Sequence, residues 1–221
     1  MIVTDGVNKI GGHVISENHY GRFARTYIIP PDPRTAPQIS RRALFQTYAL
    51  SWKTLTSTQQ AAWIAATVNY PRTDSLGNIY YPSGQNLYIE LNTNLVFIGQ
   101  SAVTSPPTKV VPAAPPSFSL TANASGSDFH ISFPLPYTDT TVVVCLQSTF
   151  SLSTGITVVF KQVRNIKQFA AAAVSTVAFF PDYTAYFGSP TVGKKIFVKL
   201  YVVHKTSGSI TQGASVAAII T

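Results

Sequence analysis

A proline-rich segment at residues 101–117 divides this chain into two parts with different hydrophobic periods. Five prolines stand here among small residues, which favours an extended, semi-rigid backbone over a helix or a central strand. Before this segment, apolar side chains recur with the spacing of helices; after it, they recur in short strand-like runs. The sequence therefore predicts an α+β, multidomain chain: a small helical domain at 39–100, a linker at 101–117 and an all-β domain at 118–221.

Residues 1–38 are predicted to form an extended arm. Glycines separate its short apolar pieces, and four prolines near its end disfavour a helix there: Pro30, Pro31, Pro33 and Pro37. An arm of this kind has little core of its own. We expect it to lie on the rest of the protein or on a neighbouring molecule.

Three helices are predicted in residues 39–100. The first is expected from about Ile39 to Lys53. One of its faces carries three aromatic side chains and an alanine, namely Phe45, Tyr48, Trp52 and Ala49. Thr56 and Gln59 have the spacing of a capping box, so a second helix is expected to start there and to bury Trp63. The third begins near Gly84 and carries apolar residues at near-heptad spacing, namely Leu87, Leu91, Leu95 and Ile98.

The all-β domain is predicted from seven short apolar runs separated by turn signals. They are residues 118–122, 129–133, 140–147, 156–163, 174–180, 195–204 and 215–220. A hairpin turn at 206–209 is expected to join the last two. This number and length of strands predicts a β-sandwich of the immunoglobulin or fibronectin type III kind.

The composition is typical of a protein that packs against other subunits. Only 11% of residues are charged, against about 25% in typical globular domains, and the polar remainder is mainly Ser, Thr, Asn and Gln. Few charges suit an assembled protein, because an unpaired charge buried in an interface is costly. The net charge of +8 is spread over both halves of the chain and favours acidic partners such as nucleic acid, anionic glycans or an acidic protein surface.

No residue pattern in the sequence specifies a reaction. Cys145, the only cysteine, stands in an apolar strand-like run and is expected to be a small buried side chain. The four histidines are far apart, most acidic residues fall in predicted turns, and no phosphate-binding glycine loop is present. We therefore expect a protein that is not an enzyme, without catalytic residues, cofactor or metal.

The same sequence predicts neither membrane insertion nor secretion. The longest apolar run, residues 169–180, is too short to span a bilayer. The first residues lack the basic and apolar pattern of a secretory signal. We expect the protein to assemble in the cytoplasm of a cell and to leave it by lysis.

Arginines of the arm and first helix are candidate interface residues. Arginine pairs bidentately with carboxylates and stacks on aromatic rings. Arg41 and Arg42 are expected in the first helical turn, where the macrodipole disfavours a cation by up to about 1 kcal/mol, so we expect them to have partners. The predicted interface consists of Arg22, Arg25, Arg34, Arg41, Arg42, Trp52 and Trp63.

Two basic clusters lie in the β domain. The first is Lys161, Arg164 and Lys167, and the second is Lys194, Lys195 and Lys199. They form a nucleic-acid surface if they converge in space beside exposed aromatic rings. The alternative is that they are ordinary solvent-facing side chains of sandwich strands, which protect strand edges from aggregation.

One part of the chain resembles a module found in many bacteriophage and prophage proteins. The matching residues are Tyr20-Gly21-Arg22, Pro33-Arg34-Thr35, Gln38, Arg42, Phe45, Trp52, Leu55-Thr56, Gln59 and Ala62-Trp63, continued by Asp74, Gly77, Gly84-Gln85-Asn86-Leu87-Tyr88 and Asn92. The resemblance covers residues 11–100 and implies a structural component of a virion, without catalytic residues. It does not specify the head, the connector or the tail.

From these observations we expect a non-enzymatic virion structural protein that forms homo-oligomers and contacts other virion proteins. The arm and helices are expected to assemble, while the β-sandwich packs laterally or projects. Two alternatives remain at this point. One is a glycan or host-surface recognition module that uses Tyr80, Tyr81, Tyr183 and Tyr186 for stacking; the other is a protein that contacts nucleic acid inside the particle.

Overall fold

The computed structural model describes residues 9–10, 12–28, 36–157, 163–171 and 174–221. Within them the chain combines four α-helices with antiparallel sheets. It divides into two compact units. Unit 1 comprises Met1–Ile89 and Thr104–Pro106, and unit 2 comprises Glu90–Val103 and Pro107–Thr221.

Unit 1 begins with a small antiparallel sheet in the region predicted to be an extended arm. Its strands are β1 (Lys9–Ile10), β2 (His13–Asn18) and β3 (Gly21–Thr26), in the order β1-β2-β3. The turn from β2 to β3 depends on Gly21, whose φ of 115° favours glycine. The described part of the arm therefore pairs with itself, and every residue of β3 is exposed.

Two helices follow, and each continues into a short 3₁₀ extension, Trp52–Thr54 after the first and Thr67–Asn69 after the second. They are α1 (Ala36–Ser51) and α2 (Ser57–Ala66). The start of α1 was predicted too late, because Pro37 lies in the first turn, where its missing N–H is not needed. The start of α2 is confirmed: Thr56 Oγ1 accepts a hydrogen bond from Gln59 N at 3.2 Å, and Gln59 Oε1 accepts one from Thr56 N at 2.9 Å.

Tyr88 is the centre of an aromatic cluster in unit 1. The residue lies on α3 (Gly84–Phe97), which starts after a hairpin of β4 (Arg72–Thr73) and β5 (Ile79–Tyr80). Its ring centroid lies 6.2 Å from that of Tyr48, 5.7 Å from that of Trp52 and 5.3 Å from that of Trp63. These contacts hold α1 and α2 against the start of α3.

Unit 2 contains the end of α3, two sheets and a short helix. The elements are β6 (Ser119–Asn123), β7 (Asp128–Tyr137), β8 (Val142–Ser148), β9 (Arg164–Ala170), β10 (Val174–Ala178), α4 (Phe180–Phe187), β11 (Lys195–His204) and β12 (Ile210–Ile219). One sheet has the order β10-β7-β6 and the other β12-β11-β8-β9. Buried side chains from both sheets form a single hydrophobic core, to which α4 adds Tyr183.

Several predicted strands differ from those of the structure. The strand predicted at 129–133 continues to Tyr137, and the one predicted at 215–220 begins earlier, at Ile210. Residues 156–157 and 163 of the predicted strand 156–163 are not in a strand, residues 158–162 lie outside the described part, and β9 follows at Arg164–Ala170. The strand predicted at 174–180 ends at Ala178, because Pro181 fits the first turn of α4. The hairpin turn between β11 and β12 lies where it was predicted.

The outer face of the four-stranded sheet is partly covered by the end of α3. Ile98, which follows the helix, is buried with Cys145, Tyr201 and Val203 in a second, smaller cluster. The prediction that Cys145 is a buried strand residue is thereby confirmed.

Of the described helices, none is long and apolar enough to cross a membrane.

Candidate interaction surface

Exposed apolar side chains concentrate in unit 1. It contributes 13 of the 21 large apolar side chains that are exposed in the described part of the chain, although it is the smaller unit. Those on the N-terminal sheet, on the residues that follow it and on the helices α1 and α2 are Tyr20, Phe23, Tyr27, Ile28, Ile39, Phe45, Leu50 and Ile64. Contiguous exposed apolar patches mark interaction sites, so the side chains of this region are candidates for such a site.

Helix α1 has two apolar faces. Leu44 and Tyr48 lie half-buried on the inner face, which continues into Trp52. Ile39 and Leu50 lie on the opposite face, where they are 54% and 56% exposed. A surface helix with one solvated side has a single apolar stripe, so the second stripe of α1 is not explained by the packing of unit 1.

The charge of this region is almost entirely positive. Residues 12–28 and 36–73 contain six basic side chains and one acidic side chain, Glu17. Glu17 Oε2 lies 3.5 Å from Arg22 Nε, an exposed ion pair that contributes little to stability. Helices α1 and α2 contain no carboxylate at all.

The predicted interface residues lie in three different settings. Arg22 and Arg25 are exposed on β3, whereas Trp52 is half-buried and Trp63 fully buried in the aromatic cluster. Trp63 Nε1 donates a hydrogen bond to Thr104 O at 2.9 Å, which satisfies its only polar group. Arg34 lies outside the described residues. The interface role of this set stays a prediction.

Arg41 and Arg42 require a correction. Because α1 begins at Ala36, both residues lie beyond the first turn, and the helix macrodipole does not disfavour them there. The electrostatic reason for expecting partners was therefore wrong. Arg41 is half-buried and Arg42 is exposed on the same helix.

The basic side chains of unit 2 are largely engaged within the unit. Lys167 Nζ lies 2.7 Å from Asp182 Oδ2 and donates to Ala178 O at 2.8 Å, which ties β9 to α4. Lys195 Nζ donates to Ile156 O at 3.2 Å, and Lys199 Nζ donates to Gln212 Oε1. The remaining members of the two clusters are Arg164, whose guanidinium bonds Val163 O, Lys194, which is exposed, and Lys161, which lies outside the described residues.

The two histidines of unit 2 each have a partner close in sequence. His130 Nδ1 lies 2.8 Å from Asp128 Oδ1, and His204 Nδ1 lies 3.0 Å from the Ser207 hydroxyl within the β11–β12 turn. Among the described residues, no group of three or more His, Cys, Asp or Glu side chains could hold a metal ion.

The proposed stacking tyrosines are also separated by burial. Tyr80 and Tyr81 in unit 1 and Tyr186 in unit 2 are exposed, but Tyr183 is buried against Phe129 with ring centroids 5.0 Å apart. The desolvation that accompanies this burial raises the pKa of the Tyr183 hydroxyl. The expectation that Tyr183 is available for stacking was therefore wrong.

Two residues organise the fold in ways that sequence reasoning missed. The Tyr88 hydroxyl lies 2.8 Å from the Ser51 hydroxyl, in addition to its three ring contacts. Asn92 is fully buried, and its amide accepts from Val103 N at 2.6 Å and donates to Val103 O at 3.1 Å. Both belong to the sequence pattern Gly84-Gln85-Asn86-Leu87-Tyr88 followed by Asn92, which was the available signal.

The comparisons with known proteins add no assignment. No protein-family model matches the chain, and a search of curated proteins finds no similar sequence.

Proposed function

We propose that this chain is a non-enzymatic structural protein of a bacteriophage-like particle, which assembles through its N-terminal strands and helices. The observation that carries the proposal is the concentration of exposed apolar side chains in unit 1. The resemblance of residues 11–100 to a module of bacteriophage proteins supports the same reading. Such a protein belongs in the virion and is assembled in the host cytoplasm.

The N-terminal sheet lacks a buried face, and this favours assembly on physical grounds. A small sheet needs a buried hydrophobic face or a helix packed on it to be stable alone. All residues of β3 are exposed, and β2 contains only exposed or half-buried residues. Burying side chains such as Phe23, Ile39 and Leu50 in an interface contributes about 1 kcal/mol or more each, which favours the assembled state.

Unit 2 is proposed to be a sandwich of the immunoglobulin or fibronectin type III kind. If β6 to β12 are taken in chain order as strands A, B, C, C′, E, F and G, the two sheets read E-B-A and G-F-C-C′. These are neighbour relations of immunoglobulin-like sandwiches. The core shared by both sheets supports the same topology. In the particle this unit packs laterally or projects.

The first experiment asks whether the protein is part of a particle. Particles from a lysate of cells that carry the gene are purified by density gradient and probed with an antibody against the recombinant chain. The proposal predicts that the protein bands with the particles at a fixed copy number, in contact with other virion proteins and with its own copies. A chain that never bands with particles and stays monomeric at high concentration contradicts the proposal.

A further inference from the structure

The outer face of α1 is the most specific surface that the structure offers. Ile39, Ala43, Gln46 and Leu50 are all exposed and follow one another at i, i+4, i+7 and i+11. Residues at this spacing lie above one another on one side of a helix. Together they form a continuous stripe, the α1 stripe, that is largely apolar and spans most of the helix.

The inner face of the same helix is already used. Leu44 and Tyr48 point to the side occupied by the aromatic cluster, where Tyr48 contacts Tyr88. Burial raises the pKa of the Tyr48 hydroxyl, and Tyr88 adds to this effect. The α1 stripe is therefore a second surface, additional to the one that builds unit 1.

The charges beside the stripe indicate its partner. Arg42 comes three residues after Ile39 and four before Gln46, so it borders the stripe. Lys53 follows Leu50 by three residues in the 3₁₀ extension of α1. No acidic residue is present between Ala36 and Thr73, so a complementary surface carries carboxylates around an apolar centre.

We propose that the α1 stripe docks onto an apolar surface of a different protein, and that acidic side chains of that protein surround the contact. This inference rests on the proposed function, because it identifies the chemistry of the partner in the particle. A second copy of the same surface is a poor match, since the charged side chains of α1 and its 3₁₀ extension are all basic and the chain already carries a net charge of +8. Nucleic acid is negatively charged, but it provides no apolar surface that buries Ile39 and Leu50.

Site-specific photocrosslinking inside assembled particles tests the proposal. Benzoylphenylalanine is introduced at Leu50 in one variant and at Val192 of unit 2 in a control variant; both positions are exposed. We expect position 50 to crosslink to a single other protein, on a peptide rich in Asp and Glu, and position 192 not to give this adduct. Benzoylphenylalanine at Ile39 should give the same adduct, which guards against a local artefact at one position.

Charge variants of the neighbouring residues complete the test. The double substitution Arg42→Glu and Lys53→Glu should lower the yield of the adduct at least about tenfold, the loss expected when repulsive groups replace complementary ones across an interface. The double substitution Arg42→Lys and Lys53→Arg, which keeps the charge, should retain it.

Each other outcome has a defined meaning. A crosslink from position 50 to another copy of this chain, a crosslink to nucleic acid, or a yield no greater than that from position 192 overturns the inference while the proposed function stands. Insensitivity to the charge reversal also overturns it. Absence of the wild-type protein from the particles overturns the proposed function, and the inference with it.

Discussion

Replacing Gly208 by alanine should destabilise unit 2 by disturbing the contact of the β11–β12 turn with α3. A Cβ atom built on Gly208 lies 2.5 Å from Leu91 O, and the residue has a φ of 68°. A carbon atom and a carbonyl oxygen normally approach to about 3.3 Å. The turn or the helix therefore has to move by about 0.8 Å, and this movement stretches the hydrogen bond from Asn94 Nδ2 to Gly208 O, now 3.0 Å long.

Two contributions determine the magnitude. A left-handed backbone costs a non-glycine residue about 1 kcal/mol. Displacing a packed helix and weakening one partly buried hydrogen bond costs about 2 kcal/mol more. We therefore expect Gly208→Ala to lower the free energy of unfolding by about 3 kcal/mol.

Gly193→Ala is the matched control, because Gly193 has a φ of 77° but no atom within 4 Å of the position of a Cβ. Only the backbone term of about 1 kcal/mol applies there. Urea unfolding followed by far-ultraviolet circular dichroism measures both variants. If Gly208→Ala destabilises the protein no more than Gly193→Ala does, the close approach of the turn to α3 is refuted.

Three further substitutions test other parts of the fold. Thr56→Ala should lower the free energy of unfolding by about 1 kcal/mol through loss of the N-cap. Tryptophan fluorescence measures this, because both tryptophans lie in unit 1. An equal loss of stability in Thr58→Ala contradicts the capping role. Asn92→Leu should cost about 2 kcal/mol in urea unfolding, since it removes the partner of two partly buried backbone groups of Val103. An unchanged midpoint contradicts the assigned role. Hydrogen bonds, first that from the Thr141 side chain, lower the pKa of Asp139 in the fold, so its ionised form adds stability that is complete above about pH 4 and lost at lower pH. The stability gap between wild type and Asp139→Asn should close on acidification; a gap that is constant with pH contradicts the linkage.

Local chemistry made part of the fold predictable. The start of α2 follows from Thr56 and Gln59, because a capping box depends only on residues three apart. The β11–β12 turn at Gly208 is similarly local. Strand β11 was predicted at its full length because its long, nearly continuous apolar run is typical of a central strand.

Other elements depend on partners that a single sequence does not reveal. Strand β9, with the sequence RNIKQFA, is too polar to be recognised alone and is defined by its pairing with β8. The N-terminal sheet has no buried face, so it lacks the alternation that normally marks strands. The start of α1 was obscured by Pro37, which is read as a helix breaker although the first turn accepts it.

Sequence reasoning named candidate interface residues in the arm and helices but did not separate exposed side chains from buried ones. The sequence directed attention to the arginines and tryptophans of the arm and helices, but burial separates them: Trp63 belongs to the core of unit 1. The α1 stripe was not recognised, because the helical pattern of α1 contains two apolar faces and only the structure distinguishes the packed one. Tyr88 was missed as the centre of the cluster since its partners come from three separate helical segments.

The central claim is that the protein assembles through unit 1, and hydrogen–deuterium exchange tests it most directly. Exchange of the amides in Ala36–Ser51 and Gly21–Thr26 is compared between the free chain and purified particles, with β8 and β11 as an internal reference. Assembly through this unit predicts that exchange in α1 and β3 slows by at least about tenfold in the particle, as expected when opening is suppressed by about 1.4 kcal/mol, while β8 and β11 are unchanged. Equal exchange of α1 and β3 in the two states contradicts the claim.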